Sequence, residues 1–296
     1  MRAKIVGTPD HWALARALSS QLKGDDLIYC TGEDVGIPVA TLCGSKRERP
    51  KIAIFIHNID RPRCRIALKL FNLRERIDLF MCNNRYQADC LRRYLHLPEA
   101  RICIISEQTD TTFFTPGPAS PNKLRMTIAS GGLEKRDYRT LAEATQDLDV
   151  DVKICAFSPN ANAAAQAFPK IMPDNMSCRF YEWSELLQLY RDADLVVVSL
   201  IENNYSAGLT TLFESMACRR PVVITRIKGP IEDLANSGVV TGVNPSDPAG
   251  MRQAIAKLLN NPQEAEAQAQ RGYELVLKRY NSEQYIEALA TRLTSV

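Results

Sequence analysis

The chain predicts an α/β protein of two doubly wound, parallel-sheet domains, and three observations carry that prediction. Short apolar runs alternate with helical patterns, a proline-rich joint interrupts the alternation, and the alternation then restarts. With 296 residues, 45% of them hydrophobic and 24% charged, the chain can bury a large core, and its length favours two domains over one. In the first half, strands are expected at Lys4–Val6, Leu27–Cys30, Ile52–His57, Asp78–Cys82 and Arg101–Ile105. Helices are expected between them at Trp12–Leu22, Arg63–Leu73 and Arg85–Tyr94, the first opened by the helix-start signal Thr8-Pro9-Asp10. Pro116-Gly117-Pro118 through Pro121 reads as the joint, a hinge of limited swing because proline restricts itself and the residue before it. Strands resume at Arg125–Ala129, Val152–Phe157, Arg179–Tyr181, Leu195–Leu200, Val222–Thr225 and Val239–Val243. Pro248–Asn260, Glu264–Lys278 and Glu283–Thr294 carry Ala, Leu and Ile at helical spacing. The boundaries so read are 1–115, 122–278 and a terminal helix over 279–296.

No stretch approaches eighteen apolar residues and the N-terminus has no signal-peptide apolar region, so a cytoplasmic protein is expected. Nine cysteines lie scattered without metal-ligand spacing and read as reduced core residues. Charge is uneven. Lys46–Arg93 holds thirteen Lys or Arg against five Asp or Glu, a net +8 in a chain of net +3. Within it Arg61, Arg65 and Lys69 repeat beside Ile66, Leu70, Leu73 and Ile77, as on an amphipathic surface helix. That face fits docking on anionic lipid to reach a lipid-linked acceptor, a soluble polyanionic acceptor, or a solvated face above a core stripe. Nucleic acid is disfavoured, because aromatics are few there and no binding motif is present.

The most informative segment is 205–223, Tyr-Ser-Ala-Gly-Leu-Thr-Thr-Leu-Phe-Glu-Ser-Met-Ala-Cys-Arg-Arg-Pro-Val-Val. A small turn, Ser206-Ala207-Gly208-Leu209, opens a helix whose unpaired amides and positive dipole end attract phosphate oxygens. Glu214, one to two turns in, could accept two hydrogen bonds from the vicinal hydroxyls of a ribose. Gly131 and Gly132 follow the first strand of the second domain, where a ligand would sit at the carboxyl end of a sheet, and Lys135 and Arg136 are the cations of that loop. The alternative there is a solvated basic turn.

These residues resemble the donor-site motif of the retaining glycosyltransferases of family four, the sucrose-synthase-like enzymes with two Rossmann-like domains facing across a cleft. Glu214-Ser215-Met216-Ala217-Cys218 and Pro221-Val222-Val223 carry the resemblance. Ser206 stands where the family has the first acid of its pair, and the nearest earlier acid is Glu202. The resemblance implies a hexosyltransferase that uses a nucleotide-sugar donor, UDP- or GDP-sugar foremost, with retention of configuration, no metal and no cofactor. It also implies a first domain lacking the opening strand, loop and helix, and a terminal helix crossing back to that domain. His57, at the end of an apolar strand, matches a histidine that contacts the donor across the cleft; otherwise it is a satisfied strand-end residue. Trp183 could stack on the nucleotide base or belong to the core. Thr109–Pro116 and Asp192-Ala193-Asp194 match segments read as structural. Alternatives are a non-catalytic nucleotide-sugar or partner-binding protein on the same fold, and a same-fold epimerase or phosphorylase.

Overall fold

The computed structural model describes residues 6–156, 166–204 and 207–296. They form two compact units, Met1–Ser106 with Tyr285–Val296, and Glu107–Gln284. The first unit is built on four parallel strands in the order β1 (Leu27–Cys30), β2 (Lys51–Ile56), β3 (Leu79–Cys82), β4 (Ile102–Ile104). The continuous apolar run of β2 follows from burial on both faces. Ile52, Ile54 and Ile56 enter one cluster with Ile37, Leu68 and Phe80, while Ala53 and Phe55 enter another with Leu79 and Met81. Five helices belong to this part of the chain: α1 (Pro9–Gln21), α2 (Glu33–Leu42), α3 (Pro62–Leu70), α4 (Leu73–Arg76) and α5 (Arg85–Leu95). Tyr285, Leu289 and Leu293 of the last helix pack on the Phe55 side of the sheet.

Two elements here differ from expectation. Helix α2 was not expected, because Gly36 and Pro38 lie inside it. Packing overrides propensity: a Cβ on Gly36 would stand 2.6 Å from Ile54 Cγ2, so glycine lets the helix sit directly on β2. The Ile66–Ile77 stripe is also corrected. Helix α3 ends at Leu70 and Asn72 takes a left-handed φ of 49° before α4, so the register breaks between Leu70 and Leu73. Leu73 and Ile77 are buried, whereas Ile66 and Leu70 each remain 63% exposed, and α3 faces the core with Cys64, Ala67 and Leu68.

The second unit holds six parallel strands in the order β10-β9-β8-β5-β6-β7. In chain order these are β5 (Thr127–Gly131), β6 (Asp151–Cys155), β7 (Met176–Arg179), β8 (Leu195–Val198), β9 (Val222–Thr225) and β10 (Thr241–Val243). Among the described residues its helices are α6 (Tyr138–Thr145), α7 (Trp183–Asp192), α8 (Leu209–Ala217), α9 (Pro230–Asn236), α10 (Pro248–Asn260) and α11 (Pro262–Arg279), while α12 (Ser282–Thr294) belongs from Tyr285 onward to the first unit. Alternation again divides the core. Val196, Val198, Val222 and Ile224 meet Leu212, Phe213 and Met216 on one face, and Leu195, Val197 and Val223 meet Leu141, Ile255 and Leu258 on the other.

Strand β7 lies earlier than Arg179–Tyr181, at the edge of the sheet, where only Met176 of its residues is buried and the apolar signal is weak. The Pro116–Pro121 segment, expected as a hinge, lies inside the second unit and is fastened to α7. Arg191 donates to the Thr115 carbonyl at 3.1 Å and to its hydroxyl at 2.8 Å, and the Ser120 amide donates to Asp192 at 2.7 Å. Asp194 accepts from the Thr127 amide at 2.8 Å and from Lys123 at 2.6 Å, a staple at the entry of β5. Phe114 is buried beside Tyr190, with ring centroids 6.0 Å apart, so the Thr109–Pro116 segment packs this unit. The first residues of the strand expected at Lys4–Val6, and Phe157 at the end of another, lie outside the described residues.

Candidate functional site

In the second sheet the chain runs outward from β5 through β6 to β7, then returns to β8 on the other side of β5 and runs outward again to β10. The connections after β5 and β8 therefore leave in opposite directions, and a crevice opens between their carboxyl ends, the place where open α/β sheets bind ligands. The two loops that border it are tied together. The Asp137 amide donates to the Ser199 carbonyl at 3.0 Å, the Ser199 hydroxyl returns a 2.6 Å bond to the Asp137 carbonyl, and the Ile201 amide donates to the Lys135 carbonyl at 3.0 Å.

Gly131, Gly132, Lys135 and Arg136 form the β5 loop. Lys135 adopts a left-handed φ of 57°, a conformation most side chains avoid. Arg136 is buried at 6% exposure. Its guanidinium donates to the Gly131 carbonyl at 2.6 Å, the Glu134 carbonyl at 3.0 Å and the Thr211 hydroxyl at 3.1 Å. No carboxylate lies within ion-pair distance of it among the described residues. A buried cation held by dipoles, with no carboxylate in ion-pair contact, keeps an attraction for an anionic ligand.

The β8 loop leads into α8. Gly208 caps that helix at φ 95°, and a Cβ there would meet Val198 Cγ1 at 2.9 Å, so both backbone conformation and packing call for glycine. The Leu212 amide makes the first bond back into the helix, to Gly208. The preceding amides of Leu209, Thr210 and Thr211 form the positive end of the helix. Ala207 is buried, its amide held by Asn203 Oδ1 at 3.3 Å, and Ser206 lies outside the described residues. Glu202 is exposed at the start of the same loop.

Glu214 lies on α8, and because helical side chains tilt toward the N-terminus its carboxylate leans over the turn that carries Thr210 and Thr211. It is 6% exposed, and Oε2 accepts a 2.8 Å bond from the Tyr190 hydroxyl. Burial pushes its carboxyl up to about 7, against the opposing pull of the Tyr190 hydroxyl and the Arg136 charge. Gly131, Gly132, Lys135 and Arg136 at the end of β5 and Gly208, Leu209 and Glu214 of α8 thus stand side by side at the carboxyl end of the sheet, joined through Thr211, whose hydroxyl accepts from Arg136 and donates to the Gly131 carbonyl.

Trp183 is the first residue of α7 and is 66% exposed, which removes the core reading of that side chain. Beside it the Arg179 guanidinium lies 3.6 Å from the centroid of the Tyr181 ring and pairs with Glu185 at 3.0 Å.

His57 belongs to the first unit, at the carboxyl end of β2. Its ring Nε2 lies 2.9 Å from the Thr31 carbonyl, a contact in which Nε2 carries the proton. Glu33, which the sequence did not single out, fixes this turn: its two oxygens accept the amides of His57 at 2.9 Å and Asn58 at 3.1 Å, and it is 3% exposed. An acid in the first turn of a helix was the signal, hidden because α2 itself was not expected. Among the described residues no group of His, Cys, Asp or Glu side chains is arranged to hold a metal ion, and no helix is long and apolar enough to cross a membrane.

The β5/β8 switch point, with its helix start and buried cation, stands where Rossmann-like domains take phosphorylated ligands. Residues 123–261 match the family model described as glycosyl transferases group 1. No curated protein matches the sequence. Among solved structures the chain is similar to Anabaena Alr3699/HepE in complex with UDP and glucose, at 15% identity and TM-score 0.80, covering 98% of this chain and 82% of that one. It is also similar to sucrose-phosphate synthase from Thermosynechococcus elongatus, at 19% identity and TM-score 0.73, covering 96% and 76%. A glycosyltransferase from Rickettsia africae matches at 15% identity and TM-score 0.75, covering 97% and 80%. At such identities the likeness establishes the fold, that of the two-domain GT-B glycosyltransferases.

Proposed function

We propose that the chain transfers a sugar from a nucleoside-diphosphate donor to a hydroxyl acceptor, with the donor held at the β5/β8 crevice. The observation that supports this most is the pairing, at a topological switch point of a glycosyltransferase domain, of a free helix start with a buried guanidinium that lacks a carboxylate partner. The donor diphosphate would take the Leu209–Thr211 amides, Arg136 and Lys135, while Glu214 would accept the ribose hydroxyls. UDP leads among donor nucleotides because the HepE structures hold UDP with glucose and UDP-glucose.

In the transfer, the bond from sugar C1 to the diphosphate oxygen breaks with its electron pair passing to the diphosphate. The acceptor oxygen forms the new bond to C1, and its proton passes to the departing phosphate oxygen. Lys135, Arg136 and the helix start act on the charge that grows on the diphosphate, a preorganised term that can dominate such chemistry. Retention of configuration and independence of metal belong to this reading, as does a role for His57 toward the donor sugar. We assign no protein nucleophile.

The reading extends to a cytoplasmic enzyme that docks on anionic lipid. Ile66 and Leu70 project from α3 among the exposed Arg61, Arg63, Arg65 and Lys69, an apolar pair ringed by cations that suits a headgroup boundary and a lipid-linked or anionic acceptor. Thermal shift with UDP-, GDP- and ADP-sugars tests the central claim. One nucleotide class should raise the midpoint of the intact chain, and the shift should vanish in Glu214→Ala and in Lys135→Ala/Arg136→Ala. A chain that responds to none of the nucleotides would be a degenerate, non-catalytic member of the fold.

A further inference from the structure

We infer that Tyr190 is a positioning residue for nucleotide recognition: its hydroxyl holds one oxygen of Glu214 so that the other is presented to the vicinal hydroxyls of the donor ribose. The inference rests on the donor site proposed above and deepens it. Tyr190 comes from α7, the helix that begins at Trp183, and it is among the largest fully buried side chains. A buried phenol needs a partner, and this one donates to Glu214 Oε2 at 2.8 Å. The same hydroxyl lies 3.4 Å from where a Cβ on Gly131 would stand, directly under the β5 loop, and the Thr211 hydroxyl lies 3.3 Å from that point. Tyr190, Gly131, Thr211 and Glu214 are thus packed as one layer beneath the crevice.

The hydrogen-bond inventory gives the layer its logic. A carboxylate has room for about four hydrogen bonds. Among the described residues Oε2 of Glu214 takes the Tyr190 bond and Oε1 takes none. A tyrosine that donates once and is locked by its neighbours fixes the carboxylate plane, and a ribose diol then meets one defined acceptor edge rather than a rotating group. Phe114 packs on the Tyr190 ring at 6.0 Å and Leu189 and Leu186 of the same helix are buried, so the phenol is enclosed by packed neighbours. The ionisable groups around Glu214 are Tyr190 from α7, Arg136 from the β5 loop, Cys155 from β6 and Cys218 at the end of α8.

The experiment compares UDP, GDP and ADP with their 2′,3′-dideoxy analogues on the full chain, by equilibrium binding as a function of pH. Intact protein should prefer the ribonucleotide by roughly tenfold, the scale of one charge-assisted hydrogen bond. Tyr190→Phe removes a single oxygen; it should lose most of that preference while its dideoxy affinity stays within about twofold. In a Glu214→Gln background the same change should add nothing further, since its action passes through the carboxylate. The preference of the intact chain should also fall as pH drops through about 7, where Glu214 takes up its proton. The analogue carries the same phosphates, so their own titration cancels in the ratio. This last measurement needs no variant and tests the carboxylate's part in ribose recognition; if Tyr190→Phe unfolds, Tyr190→His, which keeps a ring donor but on a shorter side chain, takes its place, and an unchanged ribose preference there would overturn the positioning role. A Tyr190→Phe protein that keeps its ribose preference, or weakens both nucleotides equally, would overturn the positioning role and leave the donor site standing. An intact chain that binds none of the ribonucleotides overturns both.

Discussion

Asp78, at the entry of β3, accepts the Arg49 guanidinium at 2.6 and 2.9 Å and the Ile52 amide at 2.8 Å, whereas Glu214, within α8, accepts only the Tyr190 hydroxyl among the described residues. The two carboxylates titrate in opposite directions as a result. Burial raises Asp78, yet the Arg49 bond and charge and the Ile52 amide outweigh it and hold that carboxyl below its ordinary value. Burial raises Glu214 to about 7 because a neutral hydroxyl and a nearby charge oppose it only in part. The same division separates the two ends of the strands. At the amino ends Asp194 is closed by Lys123 and the Thr127 amide, and Asp151 by Arg125. At the carboxyl ends of β5 and β8, Arg136 and Glu214 are buried with bonding capacity to spare. One end of the sheet is closed for stability, and in the proposed function the other gives up stability to hold the donor.

The largest effect expected from breaking that contrast is at Arg136. Arg136→Ala should slow turnover of the sugar nucleotide by roughly 10²–10³-fold, the scale of one preorganised oxyanion donor. Arg136→Lys should recover little, because a point charge cannot reach the Gly131 carbonyl and the Thr211 hydroxyl together. Consumption of donor in steady state is the measurement. Rates within twofold of the intact chain would move the diphosphate elsewhere.

The amino-end staple should matter for folding alone. Asp78→Ala leaves the Arg49 guanidinium and the Ile52 amide short of an acceptor, at a cost of about 3 kcal/mol, the low end for broken buried pairs because both partners keep some exposure. Its folded pKa is depressed, so the stabilisation is present above the unfolded pKa and disappears as pH falls through the folded one. Urea unfolding at pH 7 and in acid should show a gap that narrows as pH falls below the unfolded pKa, with nucleotide affinity unchanged at pH 7.

Glu214 should behave in reverse. A carboxyl whose folded pKa is raised contributes most below its unfolded value and loses that contribution as pH rises through about 7. Glu214→Gln should therefore gain about 2 kcal/mol on the intact chain between pH 5 and pH 8 while losing ribose recognition. Paired unfolding curves at the two values test the sign. A variant that gains nothing at pH 8 would mean that the carboxylate is better solvated than its burial indicates.

Much of this was legible in the sequence, for physical reasons that differ by element. Strands β2, β8 and β9 were plain because burial on both faces leaves unbroken apolar runs, and the α8 start because Gly208 and the acid six residues on stand in one short segment. Helix α2 was hidden by Gly36 and Pro38, residues tolerated only because the helix lies against Ile54. Loop cations were visible as charges, but that Arg136 is buried and tied to two carbonyls depends on β5 and α8 being neighbours, which no local pattern records. Tyr190 looked like one more apolar position in an amphipathic helix. Its value lies in a partner 24 residues away.

The smallest effect on stability is expected on α3, where the contrast between closed and open groups recurs among aliphatic side chains. Ala67 and Leu68 are buried against the first sheet, while Ile66 and Leu70, in the same helix, are 63% exposed and touch water beside Arg65 and Lys69. Replacing both exposed residues by Ser should change the unfolding free energy by less than about 0.5 kcal/mol, since no core contact is lost. On vesicles containing anionic lipid, burial of two aliphatic side chains is worth about 3 kcal/mol together, so the same double variant should lower binding by roughly a hundredfold. Co-sedimentation with anionic and with zwitterionic vesicles separates the apolar from the charged contribution. Arg61→Gln/Arg65→Gln should weaken binding to the anionic vesicles only, and more so at low salt. If the Ile66/Leu70 variant sediments like the intact chain, the exposed pair is a bare surface, and the acceptor reaches the enzyme from solution.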